Sequence, residues 1–201
     1  MPTQFFPEVT ASWKLAADKI VDNKVPAVEF LKAAEEFVPI FDRLGTIFTP
    51  VKADVGGNVK KLKDAHAANP VATIHELVIA EKAEGKHKLK TSASVALLWF
   101  KRAMQFIFTL LQKVSTGLDA NKAAKEAYAE TLAHYHGFMV KKTFEVGLMA
   151  APSSDTMLGC LGNDKDQTMG ELREWVAVAT QFLENFHAFL LKEGLDDSSK
   201  V

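Results

Sequence analysis

Apolar positions along this chain recur at helical spacing, and no stretch alternates as a half-buried strand would. Phe5, Phe6, Trp13 and Ile20 follow a weak helical period, which predicts a short helix over 8–22 that caps the body. From Val25 to Leu44 a second helix carries Val28, Leu31, Phe37, Val38 and Phe41 on one side. Pro39 should kink or interrupt it, and Gly45 should stop it. A third helix is expected over 51–67. Pro50 suits its first turn, where the missing N–H has no intrahelical partner, and Asn69-Pro70 ends it. Residues 72–84 form a shorter helix, followed by the basic loop Gly85-Lys86-His87-Lys88-Leu89-Lys90. Ser92 is placed to cap a helix from Ala93 to Val114. That helix is apolar nearly all round, so it belongs at the centre of a bundle. Asn121 opens one long helix through Tyr128, Leu132, Tyr135, Phe138 and Phe144 to Met149, stopped by Pro152. Residues 153–166 read as a loop with one short helical turn, and the last helix runs over 168–192.

The pattern therefore predicts an all-α chain of about seven or eight helices. It divides into an N-terminal extension (1–24), one domain (25–195) and a C-terminal tail (196–201). With 201 residues, 48% of them hydrophobic, the chain is long enough for one well-buried domain. A net charge of −1 gives no support to bulk nucleic-acid binding. The single cysteine, Cys160, excludes an internal disulfide and fits a reducing compartment. Residues 1–7 lack the basic and apolar regions of a signal peptide, and no uncharged apolar segment approaches the ~20 residues that span a bilayer. A cytosolic protein is expected. Fourteen phenylalanines against two tyrosines suit surfaces meant to stay dry, and equally a plain core.

Three places hold candidate chemistry. Asp54, Asn58 and Lys61 are spaced i, i+4, i+7, so all three project from one helix face. Together they offer acceptors, an amide and a donor, a set that matches a ligand rich in hydroxyls. The same row reads equally as a solvated face with an Asp–Lys pair. Gly56 and Gly57 in mid-helix cost roughly 1 kcal/mol each against alanine, which suggests the close approach of a backbone or a ligand. Trp99, in Ala96-Leu97-Leu98-Trp99-Phe100-Lys101-Arg102, reads as a core residue or as a flat stacking surface. His136, in His134-Tyr135-His136-Gly137-Phe138, reads as a core histidine or as a donor to a ligand. His134 and His136 lie two apart on the expected helix and face different ways, which argues against a shared metal. No other cluster has ligand spacing, so neither metal nor cofactor is expected. Cys160 has no accompanying base motif, and an enzyme is not expected.

The segment Phe48-Thr49-Pro50-Val51-Lys52-Ala53-Asp54, with Gly57-Asn58 and Lys61, resembles the headgroup-recognition segment of glycolipid transfer proteins. The Trp99 and Tyr135-His136-Gly137-Phe138 segments fit the same family in the same order, over roughly residues 28–155. The resemblance implies a two-layer helical sandwich and a non-enzymatic carrier of glycosphingolipids, such as galactosyl-, glucosyl- or lactosylceramide. It implies that Asp54 accepts the ceramide amide N–H and a sugar hydroxyl, and that Asn58 and Lys61 bind sugar hydroxyls. Trp99 would stack on the first sugar, and His136 would hold the amide carbonyl. Arg102 stands between contacting the ligand and structuring the site. The family's phosphate-headgroup branch replaces the indole with a basic residue, so Trp99 favours an uncharged sugar. By matching segments, Phe41, Phe48, Phe106, Leu132, Phe144 and Leu148 would line an apolar tunnel. Phe138, Met139, Lys141 and Lys142 would touch the membrane, with Lys86, Lys88 and Lys90 adding to that contact. The expected carrier is a monomer, transiently peripheral to membranes. A ceramide-1-phosphate-type carrier and a glycolipid sensor or adaptor are the alternatives. The chain departs from the family pattern in ending without the usual C-terminal Tyr, and in having Phe138 where Trp is common.

Overall fold

The computed structural model describes residues 5–149 and 151–200. Ten α-helices follow one another among them: α1 (Phe5–Asp18), α2 (Ala27–Phe37), α3 (Ile40–Leu44), α4 (Thr49–Ala68), α5 (Ile74–Ala83), α6 (Ala93–Ser115), α7 (Ala120–Glu130), α8 (Phe138–Leu148), α9 (Ser154–Leu161) and α10 (Lys165–Lys192). Single 3-10 turns lie at Thr46–Phe48 and Leu132–His134. Among the described residues there is no β-strand, only two isolated bridges. Residues 1–4 of the expected N-terminal extension and Val201 of the expected tail lie outside the described residues.

Two layers pack face to face. Helix α6 runs through one, with α4 on one side and α7 on the other. Helices α2, α1 and α10 form the second, and α6 on α10 and α2 on α4 join the two. Aromatic rings fill the space between layers. The Phe37 and Trp175 rings stack at 4.4 Å, and Trp13 meets Phe182 edge-on at 5.1 Å. Phe108 of α6 reaches the same cluster at 4.7 Å from Trp175. Many phenylalanines are thus spent on an ordinary dry core. Helix α1 belongs to that core through Phe6 and Trp13 rather than lying outside it.

Local chemistry explains where the elements start. Ser92 accepts the Val95 N–H at 3.0 Å, while the Glu81 carboxylate takes the N–H groups of Ala93 and Ser94, each at 2.8 Å. A negative group there satisfies orphan donors and meets the positive end of α6. Thr73 and Glu76 form a reciprocal capping box that fixes the start of α5.

The interruption expected at Pro39 is present: α2 ends at Phe37 and α3 starts at Ile40. The structure departs from the sequence pattern in two other places. The helix expected from Asn121 to Met149 is broken between Glu130 and Phe138. Thr131 leaves the helical region at φ −124°, ψ −94°, and Gly137 begins α8 in extended backbone at φ −68°, ψ 169°. His136 therefore sits in a connector, and the helical argument about His134 and His136 does not hold. Residues 153–166 contain a true helix, α9, capped by the Ser153 hydroxyl accepting from the Thr156 N–H.

Candidate functional site

Helix α4 presents Asp54, Asn58 and Lys61 to the groove between α4 and α6. The Asn58 Nδ2 donates to Asp54 Oδ2 at 3.3 Å, and Lys61 Nζ donates to Asn58 Oδ1 at 3.4 Å. Asn58 is only 3% exposed, so its amide is fixed in the wall while Asp54 opens toward solvent. Surrounding protein raises the Asp54 carboxyl above its ordinary pKa, with the Lys61 charge and the Asn58 amide opposing the shift.

Across the groove, the half-buried Trp99 of α6 shows its indole next to His136 from the α7–α8 connector. The two rings lie nearly parallel, 18° apart, with centroids at 6.4 Å. The Tyr128 hydroxyl of α7 is 2.9 Å from His136 Nδ1. Burial lowers the His136 pKa, so the ring is neutral at ordinary pH. A Tyr128 hydroxyl donating to Nδ1 leaves the ring proton on Nε2 as a donor. Burial also pushes the Tyr128 phenol up to about 12.

All five residues singled out by sequence, Asp54, Asn58, Lys61, Trp99 and His136, line one cleft of about 440 Å³. Lys90, Val95, Ala103 and Leu132 complete its walls, and Pro50, Val51 and Phe144 lie where it meets a second cavity. That second cavity, about 340 Å³, is walled almost entirely by apolar groups: Ile47, Phe48, Met139, Val140, Gly147 and Leu148 among them. Of the expected tunnel residues, Phe48, Phe144 and Leu148 line the second cavity and Leu132 the first. Phe41 and Phe106 line neither and pack in the core, where Phe106 meets Phe144 edge-on at 5.6 Å.

Helix α8 covers the second cavity with little of its own surface. Leu148 is its one buried residue. Phe138 is 73% and Met139 75% exposed, Val146 and Met149 stand open beside them, and Lys141 and Lys142 are exposed. Lys86 of the basic loop pairs with Glu84 at 2.7 Å, whereas Lys90 joins the cleft.

Under Trp99 lies a group the sequence left undecided. Arg102 is 2% exposed; its guanidinium carbon is 5.0 Å from the Trp99 ring and 3.5 Å from the Tyr135 ring. It structures the wall of the cleft and does not line it. The pairing of Tyr128 with His136, the packing of Tyr135 on Arg102 and the place of Lys90 in the cleft went unrecognised in the sequence. Lys90, expected to add to the membrane contact, instead lines the cleft, and the break after Glu130 conceals the relation of Tyr128 to His136. Among the described residues, no group of three His, Cys, Asp or Glu side chains is placed to hold a metal ion.

A cleft with fixed polar groups at one end and an apolar continuation at the other suits an amphiphile. Comparison with known proteins agrees. The sequence profile of the glycolipid transfer protein family matches residues 25–163. The glycolipid transfer protein of Danio rerio is 36% identical over 186 residues, covering 87% of this chain and 86% of that protein. Pleckstrin homology domain-containing family A member 8 of Danio rerio is 36% identical over 144 residues, which is 70% of this chain but 26% of that protein. This chain thus spans about a quarter of the length of that relative. Among solved structures, one described as showing how FAPP2 selects simple glycosphingolipids using the GLTP-fold has a TM-score of 0.87 at 28% identity, covering 98% of this chain and 99% of that one. Mouse ceramide-1-phosphate transfer protein has a TM-score of 0.85 at 20% identity, covering 94% and 97%, a likeness of fold alone.

Proposed function

Because this chain belongs to the glycolipid transfer protein family, whose members are lipid carriers and not enzymes, we propose that it moves glycosphingolipids with uncharged sugar headgroups between membranes. The observation that carries this reading is the convergence of Asp54, Asn58, Lys61, Trp99 and His136 on one cleft from three separate parts of the chain.

The roles follow from chemistry. A sugar ring's C–H face is mildly apolar and fits the flat Trp99 indole. Asn58 and Lys61 supply an amide and an ammonium to hydroxyls, and Asp54 accepts from a hydroxyl and from the ceramide amide N–H. The Nε2 proton of His136 meets the amide carbonyl. These polar groups select the headgroup because a lipid that fails to pair them leaves desolvated groups without partners. The apolar chains enter the second cavity beside Phe48, Phe144 and Leu148 and go deeper as core side chains part. A 16-carbon chain gains roughly 13 kcal/mol on leaving water, at about 0.8 kcal/mol per CH₂. Helix α8, with one buried residue, moves at small cost to admit it. Its exposed Phe138 and Met139, flanked by Lys141 and Lys142, form the membrane contact, apolar groups facing the acyl boundary and lysines the headgroups. The carrier works as a monomer on cytosolic membrane faces.

The test is transfer of fluorescent galactosylceramide between vesicles, beside ceramide-1-phosphate and phosphatidylcholine. Transfer of the glycolipid alone supports the sugar site. Transfer of ceramide-1-phosphate in preference places the chain with the phosphate carriers, and no transfer of any lipid leaves a sensor or adaptor.

A further inference from the structure

Lys101 and Arg102 lie in the middle of α6 among apolar neighbours, 3% and 2% exposed. Two buried cations need acceptors, because an uncompensated charge in the interior is strongly destabilising. The acceptor comes from the end of the chain. Helix α10 closes with Gly194 at φ 67°, a left-handed conformation that favours glycine. The Gly194 N–H bonds the Leu191 carbonyl at 3.1 Å and the Leu195 N–H bonds the Leu190 carbonyl at 2.8 Å, the paired bonds of a Schellman turn. Leu195 is buried in the core and anchors this reversal.

The next residue, Asp196, then lies over α6. Its Oδ1 accepts from an Arg102 terminal nitrogen at 3.2 Å, and its Oδ2 is 3.5 Å from Lys101 Nζ and 3.6 Å from His187 Nδ1. Lys101 Nζ also meets His187 Nδ1 at 3.2 Å, and the Asp197 carbonyl accepts from the same Arg102 nitrogen as Asp196. Held from this side, the guanidinium lies against two rings, Trp99 and Tyr135. Trp99 is the stacking face of the cleft, and Tyr135 is the residue before His136.

We propose that Asp196 is a positioning residue for the headgroup site. By fixing one guanidinium it sets two ligand contacts that belong to different elements, the indole on α6 and the His136 connector. The inference rests on the sugar-carrier reading. It assigns to the segment after α10 a part in headgroup recognition, although no residue of that segment lines the cleft.

The experiment uses the full chain and the variants Asp196→Ala and Asp196→Glu. Transfer of galactosylceramide and of headgroup-free ceramide is measured side by side. Loss of a charge-assisted hold should lower galactosylceramide transfer by Asp196→Ala about tenfold or more. Ceramide transfer should stay within about twofold, so that the ratio of the two falls. Asp196→Glu should recover part of the ratio. An unchanged ratio, whether both lipids move normally or both are slowed alike, overturns the assignment. If Asp196→Ala does not fold, Asp196→Asn combined with Lys101→Met removes the unpaired ammonium and is judged by the same ratio. A wild-type protein that moves no galactosylceramide overturns the sugar-carrier reading, and this assignment with it.

Discussion

The Tyr128 hydroxyl lies 2.9 Å from Nδ1 of His136 and occupies that nitrogen from the protein side. The tautomer available to a ligand is therefore set by a residue that does not line the cleft. Tyr128→Phe removes the partner while keeping the ring stacked 4.4 Å from Phe144. A neutral hydrogen bond is worth about 0.5–1.5 kcal/mol net. Galactosylceramide transfer should fall roughly three- to tenfold, with thermal stability nearly unchanged. Nitrogen-resolved NMR of His136 should show a mixed tautomer in the variant and one tautomer in the wild type.

Acid should act on the same ring. His136 has a lowered pKa through burial, so its neutral form is favoured in the folded chain. The stability and binding that depend on this form are complete above the ordinary histidine value of about 6.5 and are lost as pH falls through the lower folded value. Transfer should be flat from the ordinary histidine value of about 6.5 to mildly alkaline pH and decline only below it, as the ring protonates. His75 shares the direction of the shift, and its Nδ1 accepts the Val25 N–H at 3.2 Å. Melting curves taken at the same pH values will separate loss of fold from loss of binding.

Asp54 has the opposite linkage. Its raised pKa means that the folded chain disfavours the carboxylate. The stability associated with the protonated acid is present below about pH 4 and lost as pH rises through the folded value. Asp54→Val should therefore melt no lower than wild type at neutral pH, and higher if the relief outweighs the lost Asn58 bond. Glycolipid transfer should nonetheless fall about ten- to hundredfold, the scale of a hydrogen bond to a charged group. Trp99→Ala should lower transfer at least several-fold through the lost stacking surface, with helicity retained. Wild-type rates in both variants would remove these residues from the site.

Phe138→Ser and Met139→Ser test the membrane contact. Both side chains are largely exposed, so the fold should keep its melting temperature. Burying a side chain of this size is worth about 1.5–3 kcal/mol. Vesicle binding in a flotation assay should weaken about tenfold for each variant. Unchanged flotation with slowed transfer would place the two residues in lipid entry instead.

Gly162→Ala offers a test of packing far from the cleft. A Cβ on Gly162 would lie 2.1 Å from Thr168 Oγ1. That hydroxyl is committed to the Asp164 carbonyl at 2.6 Å and has little freedom to turn away. The variant should lose roughly 1–3 kcal/mol of stability, read by urea denaturation, and should keep its lipid preference.

Much of this arrangement was legible in the sequence because it rests on local signals. The all-round apolar run of α6, the Ser92 cap and the Pro50 boundary are visible within a few residues. The i, i+4, i+7 row of Asp54, Asn58 and Lys61 survives because α4 is continuous through it. What stayed hidden depends on tertiary geometry. Leu132, Tyr135 and Phe138 keep a helical period across a break that only Thr131 and Gly137 make, so the connector holding His136 looked like a helix. The Ser153 and Asp164 caps, which mark the starts of α9 and α10, were masked by a composition typical of loops. Asp196 lies 94 residues from Arg102, and no period in the sequence relates them.

Helix α6 is the one described helix long and apolar enough to cross a bilayer. Most of its apolar window, 78%, is buried inside the fold. Lys101 and Arg102 sit close to the helix centre, where translocon scales charge about 2.5–3.5 kcal/mol for each cation. Two charges at that depth make α6 a poor membrane span, and in the folded chain Asp196 pairs with both. Replacing both with leucine would leave residues 93–112 without a charge, the length and composition of a membrane span.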